Sequence, residues 1–368
     1  MKYFERFTSN TIAGSGSQHV FDCNEKKLGR IFYKITVGGE FNYSLLYTNI
    51  IDGTFANGEK GHRNRVSDEW QIHKMRIGRA VELDASVCIK ERPEATLEVI
   101  DWQDITFDGA SQKTVAPAEF FTTDPVKMYF DKGDYLCVET EFSGGILHNH
   151  EESTIPAFTC RDGVWRYSRR QPFPSMIGCD RDVKKRVCFI GDSITQGCGT
   201  RINAYEHWNA VVSSYFDDSF AFWNLGLGYG RASDMASDGA WMFKARHNDY
   251  AVVCYGVNDI NRGGTADEII ADLVTVVKKL KDSGLNVLIQ TVPPFNQSGE
   301  RADKFHKIND FIRNEMPNIA DAVFDVVPVL CAPDRDTDAS RFGGHPNGEG
   351  CKKWADALYP VLKEFLAK

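Results

Sequence analysis

The chain has 368 residues, of which 42% are hydrophobic, 26% charged and 12% aromatic, the composition of a soluble globular protein long enough for two domains. A formal net charge of −8 argues against nucleic acid or an anionic membrane as the main partner, because a surface that follows phosphates needs an excess of Lys and Arg. No apolar run is long enough to span a bilayer, and the opening Met1-Lys-Tyr-Phe-Glu-Arg-Phe-Thr-Ser-Asn10 lacks the apolar segment of a secretion signal.

Ten cysteines are scattered singly, without a CxxC pair. Cys188 and Cys254 lie inside apolar runs, which suits reduced core thiols and a cytoplasmic protein, or an extracellular one if a signal segment has been removed.

From Gly29 to about Trp165 the pattern is strands and turns. Ile31–Val37 and Tyr43–Tyr47 flank Gly38-Gly39, and Thr96–Ile100 and Asp104–Phe107 alternate apolar with polar residues. Val126–Phe130 and Tyr135–Glu139 are joined by Asp131-Lys-Gly-Asp134, which reads as a hairpin turn. These short strands predict an all-β sandwich of the jelly-roll kind over 1–170. The charged, proline-containing stretch 171–185 reads as a linker, with Arg166, Arg169 and Arg170 just before it as a solvated segment or, alternatively, a basic patch.

Over 186–368 strands and helices alternate. Strands are expected at Arg186–Ile190, Ala221–Asn224, Tyr250–Tyr255, Asn286–Val292 and Ala322–Val327. Helices are expected at Ala204–Tyr215, Ala232–Ala245, Ala266–Ser283, Lys304–Asn314 and Gly348–Leu366. Such alternation predicts an α/β fold with a doubly wound, five-stranded parallel sheet.

Loops leaving the carboxyl ends of the strands in such a sheet share one rim, where ligands bind. Ser193 follows the first strand, in Arg186-Val-Cys-Phe-Ile-Gly-Asp-Ser-Ile-Thr-Gln-Gly197. Gly226, Gly228 and Gly230 follow the second. Asn258, in Tyr255-Gly-Val-Asn-Asp259, follows the third, and His345, in Gly343-Gly-His-Pro-Asn347, comes after the fifth.

A serine needs a base, a neutral imidazole serves near pH 7, and a glycine N–H with a side-chain amide can stabilise an oxyanion, so together the four specify acyl transfer. Singly each has a blander reading: helix capping for Ser193 and Asn258, close packing for the glycines, and a helix start for His345. His148-Asn-His150-Glu-Glu152 is a metal candidate only if a distant ligand joins it, and no metal or other cofactor is implied.

These residues resemble the SGNH hydrolases, or GDSL esterases and lipases. Gly191-Asp-Ser-Ile-Thr is similar to the family's first block, Gly256-Val-Asn-Asp259 to its third and His345-Pro-Asn347 to its last. The resemblance implies a flavodoxin-like SGNH domain with Ser193 as nucleophile, His345 as general base, and Asn258 with an N–H of the glycine loop as oxyanion donors.

Two departures stand out. Tyr229 occupies the position of the family's oxyanion glycine, leaving Gly228 as the chosen donor beside Gly230. Phe342 stands where the family has the aspartate that orients the histidine, so either Asp334, Asp336 or Asp338 reaches back, or a backbone carbonyl orients a Ser–His dyad.

The β segment, notably Thr122-Thr-Asp-Pro-Val126 with Lys132-Gly-Asp134, resembles the β-domain of family 2 carbohydrate esterases, which implies an acetyl or other short acyl ester on a carbohydrate as substrate. A longer-chain lipase or thioesterase, or a carbohydrate-binding protein with a degenerate triad, are the alternatives. Trp165 and Pro293-Pro-Phe-Asn296 are candidate walls of the site.

Overall fold

The computed structural model describes residues 2–14, 16–52, 66–81, 98–150, 154–237, 239–332 and 339–368. It divides into two compact units. The first reaches Val183 and includes Ile202–Ala204; the second begins at Lys184 and runs to Lys368.

The first unit is built on two antiparallel sheets. One orders Thr8–Ser9, Met176–Cys179, Gly39–Thr48 and Phe120–Thr122, with Val126–Phe130 also on Gly39–Thr48. The other orders Val164–Tyr167, Ala157–Arg161, Lys27–Lys34, Tyr135–Gly144, Trp70–Ala80 and Ile100–Asp104, with Lys113–Val115 also on Trp70–Ala80. The sheets face each other across aromatic contacts: Phe121 stacks on Tyr47 within its own sheet, and its ring centroid lies 6.3 Å from that of Trp70 in the other.

Burial along Trp70–Ala80 follows the two-residue period of a strand, but Trp70 and Ile72 are buried and then Met75 and Ile77, a change of parity. The register explains it. Glu141 opposes Lys74 while Phe142 opposes Ile72, so His73 is an extra residue in a β-bulge that turns the next side chains to the other face.

Several expectations for this unit need correction. Asp131–Asp134 does form a turn, with the Asp134 N–H donating to the Asp131 carbonyl at 3.1 Å, but it joins no hairpin. Val126–Phe130 pairs in one sheet and Tyr135–Gly144 in the other, because turn chemistry encodes a change of direction and not the partner that follows. Asp104–Phe107 is not a strand of its own: the strand Ile100–Asp104 ends there, and Phe107 closes a bridge with Ala110. Within 171–185, Met176–Cys179 is a fully buried strand on Gly39–Thr48, so its charged flanks concealed sheet structure in the stretch read as a linker.

On the second sheet of this unit Glu139 sits between Arg30 and Arg76, its cross-strand neighbours, at 2.6 Å from each. The Arg30 guanidinium lies 4.3 Å over the ring of Trp165 and that of Arg76 4.0 Å over Trp102. Two cations thus share one carboxylate under indole rings that limit their hydration.

The second unit carries five parallel strands, numbered β1 (Lys185–Gly191), β2 (Phe220–Gly226), β3 (Tyr250–Cys254), β4 (Asn286–Gln290) and β5 (Ala322–Phe324), in the order β2-β1-β3-β4-β5. β3 is buried at every residue, as a strand covered on both faces should be. Helix Ala266–Asp282 starts from a capping box between Thr265 and Glu268 and turns Ile269, Leu273, Val276, Val277 and Leu280 inward.

Other helices differ from the pattern. The one expected over Ala204–Tyr215 is only Trp208–Ser213. The one over Ala232–Ala245 is two short helices, Ala232–Met235 and Ala240–Ala245, with Gly239 capping the second. β5 ends at Phe324, and Val327-Pro-Val-Leu330 turns helical because proline at a first turn is compatible with a helix but not with a central strand. Among the described residues no helix is long and apolar enough to cross a membrane, and the nine described cysteines form no disulfide.

The strand order reverses between β1 and β3, so the crevice for a ligand opens where Ser193 and Asn258 leave the sheet.

Glu139→Ala should lower the unfolding free energy by about 3 kcal/mol in a urea titration, because it leaves two half-sheltered guanidiniums beside each other without their carboxylate.

Candidate active site

β1 ends at Gly191, and the chain turns at once into the one-turn helix Ser193–Gln196. Asp192 caps it, its carboxylate accepting from the Ile194 N–H at 2.9 Å, while Gly197 closes it in the left-handed region at φ 118°. Gly191 serves differently: a Cβ there would lie 2.1 Å from Thr195 Oγ1 and 2.5 Å from the Cys254 carbonyl. Only a hydrogen leaves room for the turn to fold back on the sheet. Ser193 heads this turn with 7% of its surface exposed.

Two asparagines hold the far side of the same turn. Asn209 and Asn224 both donate from Nδ2 to the Thr195 carbonyl, at 2.5 and 3.1 Å, and Asn224 Oδ1 accepts from the Gly226 N–H at 2.8 Å. The sequence pattern placed Asn224 only at the end of the second strand and passed over Asn209. The signal for Asn209 was its polar amide at a buried position of an apolar helix, and the amide is fully buried.

The loop after β2 separates the roles of its glycines. A Cβ on Gly226 would lie 2.2 Å from the Gln196 N atom, and one on Gly230 2.7 Å from the Trp241 ring, so both glycines permit close packing. Gly228 is buried at the second position of the turn Leu227–Gly230, which the Gly230 N–H closes on the Leu227 carbonyl at 3.0 Å. Tyr229 takes the third at φ 59°, a left-handed conformation that glycine adopts without strain, and Arg262 lies 5.9 Å over its ring.

Asn258 lies in the short helix Val257–Asn261, whose N-cap is Gly256 at φ 131°. Its side chain is therefore not spent on capping. Nδ2 donates to the Gly230 carbonyl at 3.1 Å, which ties this helix to the glycine loop and leaves the second amide hydrogen for another acceptor.

Next to it, Asp259 is buried and accepts from the Ala232 N–H at 3.2 Å. Burial pushes its pKa up to about 7, with the nearby Asp234 raising it further against the Ala232 and Ser233 N–H groups and Arg231, which lower it. Asp234 itself accepts from the Arg231 N–H at 3.0 Å at the start of its helix.

His345 comes from the segment between β5 and the last helix. Its Nε2 lies 2.8 Å from Ser193 Oγ, a hydrogen bond between residues 152 positions apart. A Cβ on Gly199 would come within 2.7 Å of the His345 carbonyl, so the segment after the serine turn packs directly against the histidine backbone. Phe295, from the stretch singled out as a wall, meets the imidazole edge to face at 5.4 Å.

The last helix begins beyond the histidine, at Gly348, with Asn347 as its cap. Phe342 is buried and packs on Gly350 of that helix, where an added Cβ would be 2.6 Å from the Phe342 Cβ. Asp334, Asp336 and Asp338 lie outside the described residues.

The remaining candidates fall elsewhere. His148 lies in the strand Ile146–Asn149, and its Nδ1 is 2.8 Å from Ser17 Oγ; the His150 ring meets Phe173 edge to face. Glu151 and Glu152 are outside the described residues. Among the described residues no group of three His, Cys, Asp or Glu side chains is placed to hold a metal ion. Trp165 packs on Arg30 within the first unit.

Residues 189–353 match the model of the GDSL-like lipase/acylhydrolase family. Among solved structures the chain is similar to a family two carbohydrate esterase from Clostridium thermocellum in complex with cellohexaose, at 12% identity and TM-score 0.42, over 98% of this chain and 99% of that one. It is also similar to the psychrotrophic esterase EstA from a Pseudoalteromonas species, at 13% identity and TM-score 0.41, over 50% and 100% of the two chains. A family 3 carbohydrate esterase from Talaromyces cellulolyticus is similar at 18% identity and TM-score 0.38, over 50% and 98%. No curated protein matches the sequence.

The raised pKa of Asp259 sets a pH dependence. Between its unfolded value near 4 and its folded value of about 7 the folded chain holds the proton more tightly, so this group's contribution makes stability fall as pH rises through that window, by up to about 4 kcal/mol. Asp259→Asn should match the wild type in thermal unfolding near pH 4 and exceed it at pH 8.

Proposed function

We propose that the carboxylic ester hydrolase formed by this GDSL-like lipase/acylhydrolase domain uses Ser193 as nucleophile and His345 as general base to remove acetyl or another short acyl group from a carbohydrate hydroxyl. The observation that carries this reading is the 2.8 Å separation of Ser193 Oγ and His345 Nε2. At that distance the imidazole takes the hydroxyl proton as Oγ attacks the ester carbonyl.

The developing oxyanion is met by the N–H groups of Ser193 and Gly228 and by the second hydrogen of the Asn258 amide. The imidazolium then returns its proton to the departing sugar oxygen as the carbonyl–oxygen bond breaks, leaving an acyl-enzyme. Water, deprotonated by the same imidazole, attacks the acyl carbonyl and releases the carboxylic acid and the free serine.

Phe342 supports a Ser–His dyad. It is buried against the last helix at the position where the resemblance leads one to expect an aspartate, so no charge reaches the imidazole from there. The sugar as acyl carrier rests on the order of the two domains, an antiparallel unit followed by the hydrolase unit, which resembles family 2 carbohydrate esterases.

Ser193→Ala should abolish p-nitrophenyl acetate turnover and fluorophosphonate labelling. Unchanged turnover removes Ser193 as nucleophile, and an unlabelled wild type would make the chain a binding protein. Asn258→Ala should lower kcat by about 10²–10³-fold at little cost in KM, the signature of a donor used in the transition state. The dyad predicts that Asp334→Asn, Asp336→Asn and Asp338→Asn each leave kcat within about threefold of wild type; a loss near the ~10⁴-fold known for a true triad carboxylate would name a third member.

A further inference from the structure

The first unit contains a cleft of about 810 Å³ that the ester chemistry leaves unused, lined among others by Phe21, Asp22, Arg166, Tyr167, Arg169 and Arg170. One wall is the ribbon of His19–Asp22 paired with Ile146–Asn149. The other is the end of the strand Val164–Tyr167 and the three residues after it. Its volume is that of sites that enclose small organic ligands.

Its charge is unusual for this protein. Several other guanidiniums of the unit are matched by carboxylates: Arg30 and Arg76 by Glu139, and Arg79 by Asp134. Among the described residues Arg166, Arg169 and Arg170 make no ion pair, and Asp22 is the only carboxylate in the lining. Lys27 adds a further cation at the edge, its ammonium 5.1 Å over the Phe21 ring. In a chain of net charge −8, three guanidiniums that meet no carboxylate among the described residues repel one another around one hollow until an anion joins them.

Guanidinium forks match carboxylate and sulfate oxygens in pairs. The half-buried ring of Tyr167, with Arg169 5.9 Å from its centroid, adds a flat apolar surface beside them.

We infer that this cleft is an accessory site for an acidic oligosaccharide, one bearing uronate carboxylates or sulfate esters. The anionic part of the inference stands on the cleft alone; the saccharide part rests on the proposed carbohydrate substrate. Such a site would tether an acidic glycan to the protein independently of the chemistry at Ser193.

Titration calorimetry on the full chain, with an oligogalacturonate hexamer, a chondroitin sulfate hexasaccharide and neutral cellohexaose, tests the inference. At least one acidic ligand should bind about tenfold or more tightly than cellohexaose and weaken as salt is raised from 50 to 300 mM, figures chosen to span the screening range. The carboxylated and sulfated arms identify the anion.

Arg166→Gln with Arg170→Gln, both at exposed positions, should weaken that binding by about tenfold or more. Thermal unfolding and p-nitrophenyl acetate turnover should stay unchanged. The single variant Arg170→Glu gives a second measure with one change of charge. Acidic ligands that bind no better than cellohexaose, or binding that survives both variants, overturn the inference. Loss of the esterase reading in Ser193→Ala leaves this result standing, since that variant keeps the cleft.

Discussion

The hydrogen bond between Ser193 and His345 is one contact of 2.8 Å, yet the residues on both sides of it are organised to keep its ends in place. On the serine side the constraint is space. β1, the one-turn helix and β3 come so close together that Gly191 has no room for a methyl group, and Gly226 brings β2 against the same turn. Asn209 and Asn224 then fasten the Thr195 carbonyl, satisfying a backbone group that a helix of four residues leaves unpaired. On the histidine side Gly199 abuts the His345 backbone and Phe295 abuts its ring. Ser193, with 7% of its surface exposed, is thereby packed from both sides of the contact.

A second level of support lies beneath the candidate oxyanion donors. The Asn258 amide touches the glycine loop through the Gly230 carbonyl, and the neighbouring Asp259 touches the helix that follows the loop through the Ala232 N–H. Loop and helix are thus coupled through two adjacent side chains. Burying a carboxyl to make the second contact raises its pKa to about 7, so the same residue that positions the loop carries a cost in stability at neutral pH. Local structure at a site is commonly maintained at some expense to the fold, and Tyr229 in a left-handed conformation is another instance a few residues away.

The first unit uses charge in a different way. Its second sheet buries ion pairs under indole rings, whereas its cleft gathers arginines that form no ion pair among the described residues. The contrast separates two settings of one side chain: a guanidinium matched within the sheet contributes to stability, and one at a concave surface beside an aromatic ring is the kind that recognises anions.

Much of this architecture was legible in the residues alone. Parallel strands covered on both faces read as unbroken apolar runs, and β1, β3 and β4 fall within a residue or two of where those runs predict them. Ser193, Asn258 and His345 were recognisable as candidates because chemistry restricts residue type, and because a doubly wound sheet brings the ends of its strands to one rim. What the residues could not declare was pairing. The turn Asp131–Asp134 looks the same whether the next strand lies beside the last one or in the opposite sheet, and a strand such as Met176–Cys179 is hidden when charged residues flank it. Likewise, a polar amide in an apolar helix marks Asn209 as unusual without saying that it braces the serine turn, and nothing local distinguishes Gly226, needed for space, from Gly228, buried in a turn. Residue type and periodicity are local properties and were determined by the chain itself; which atoms meet across 152 positions depends on the packing of every element between them, and only the tertiary structure decides it.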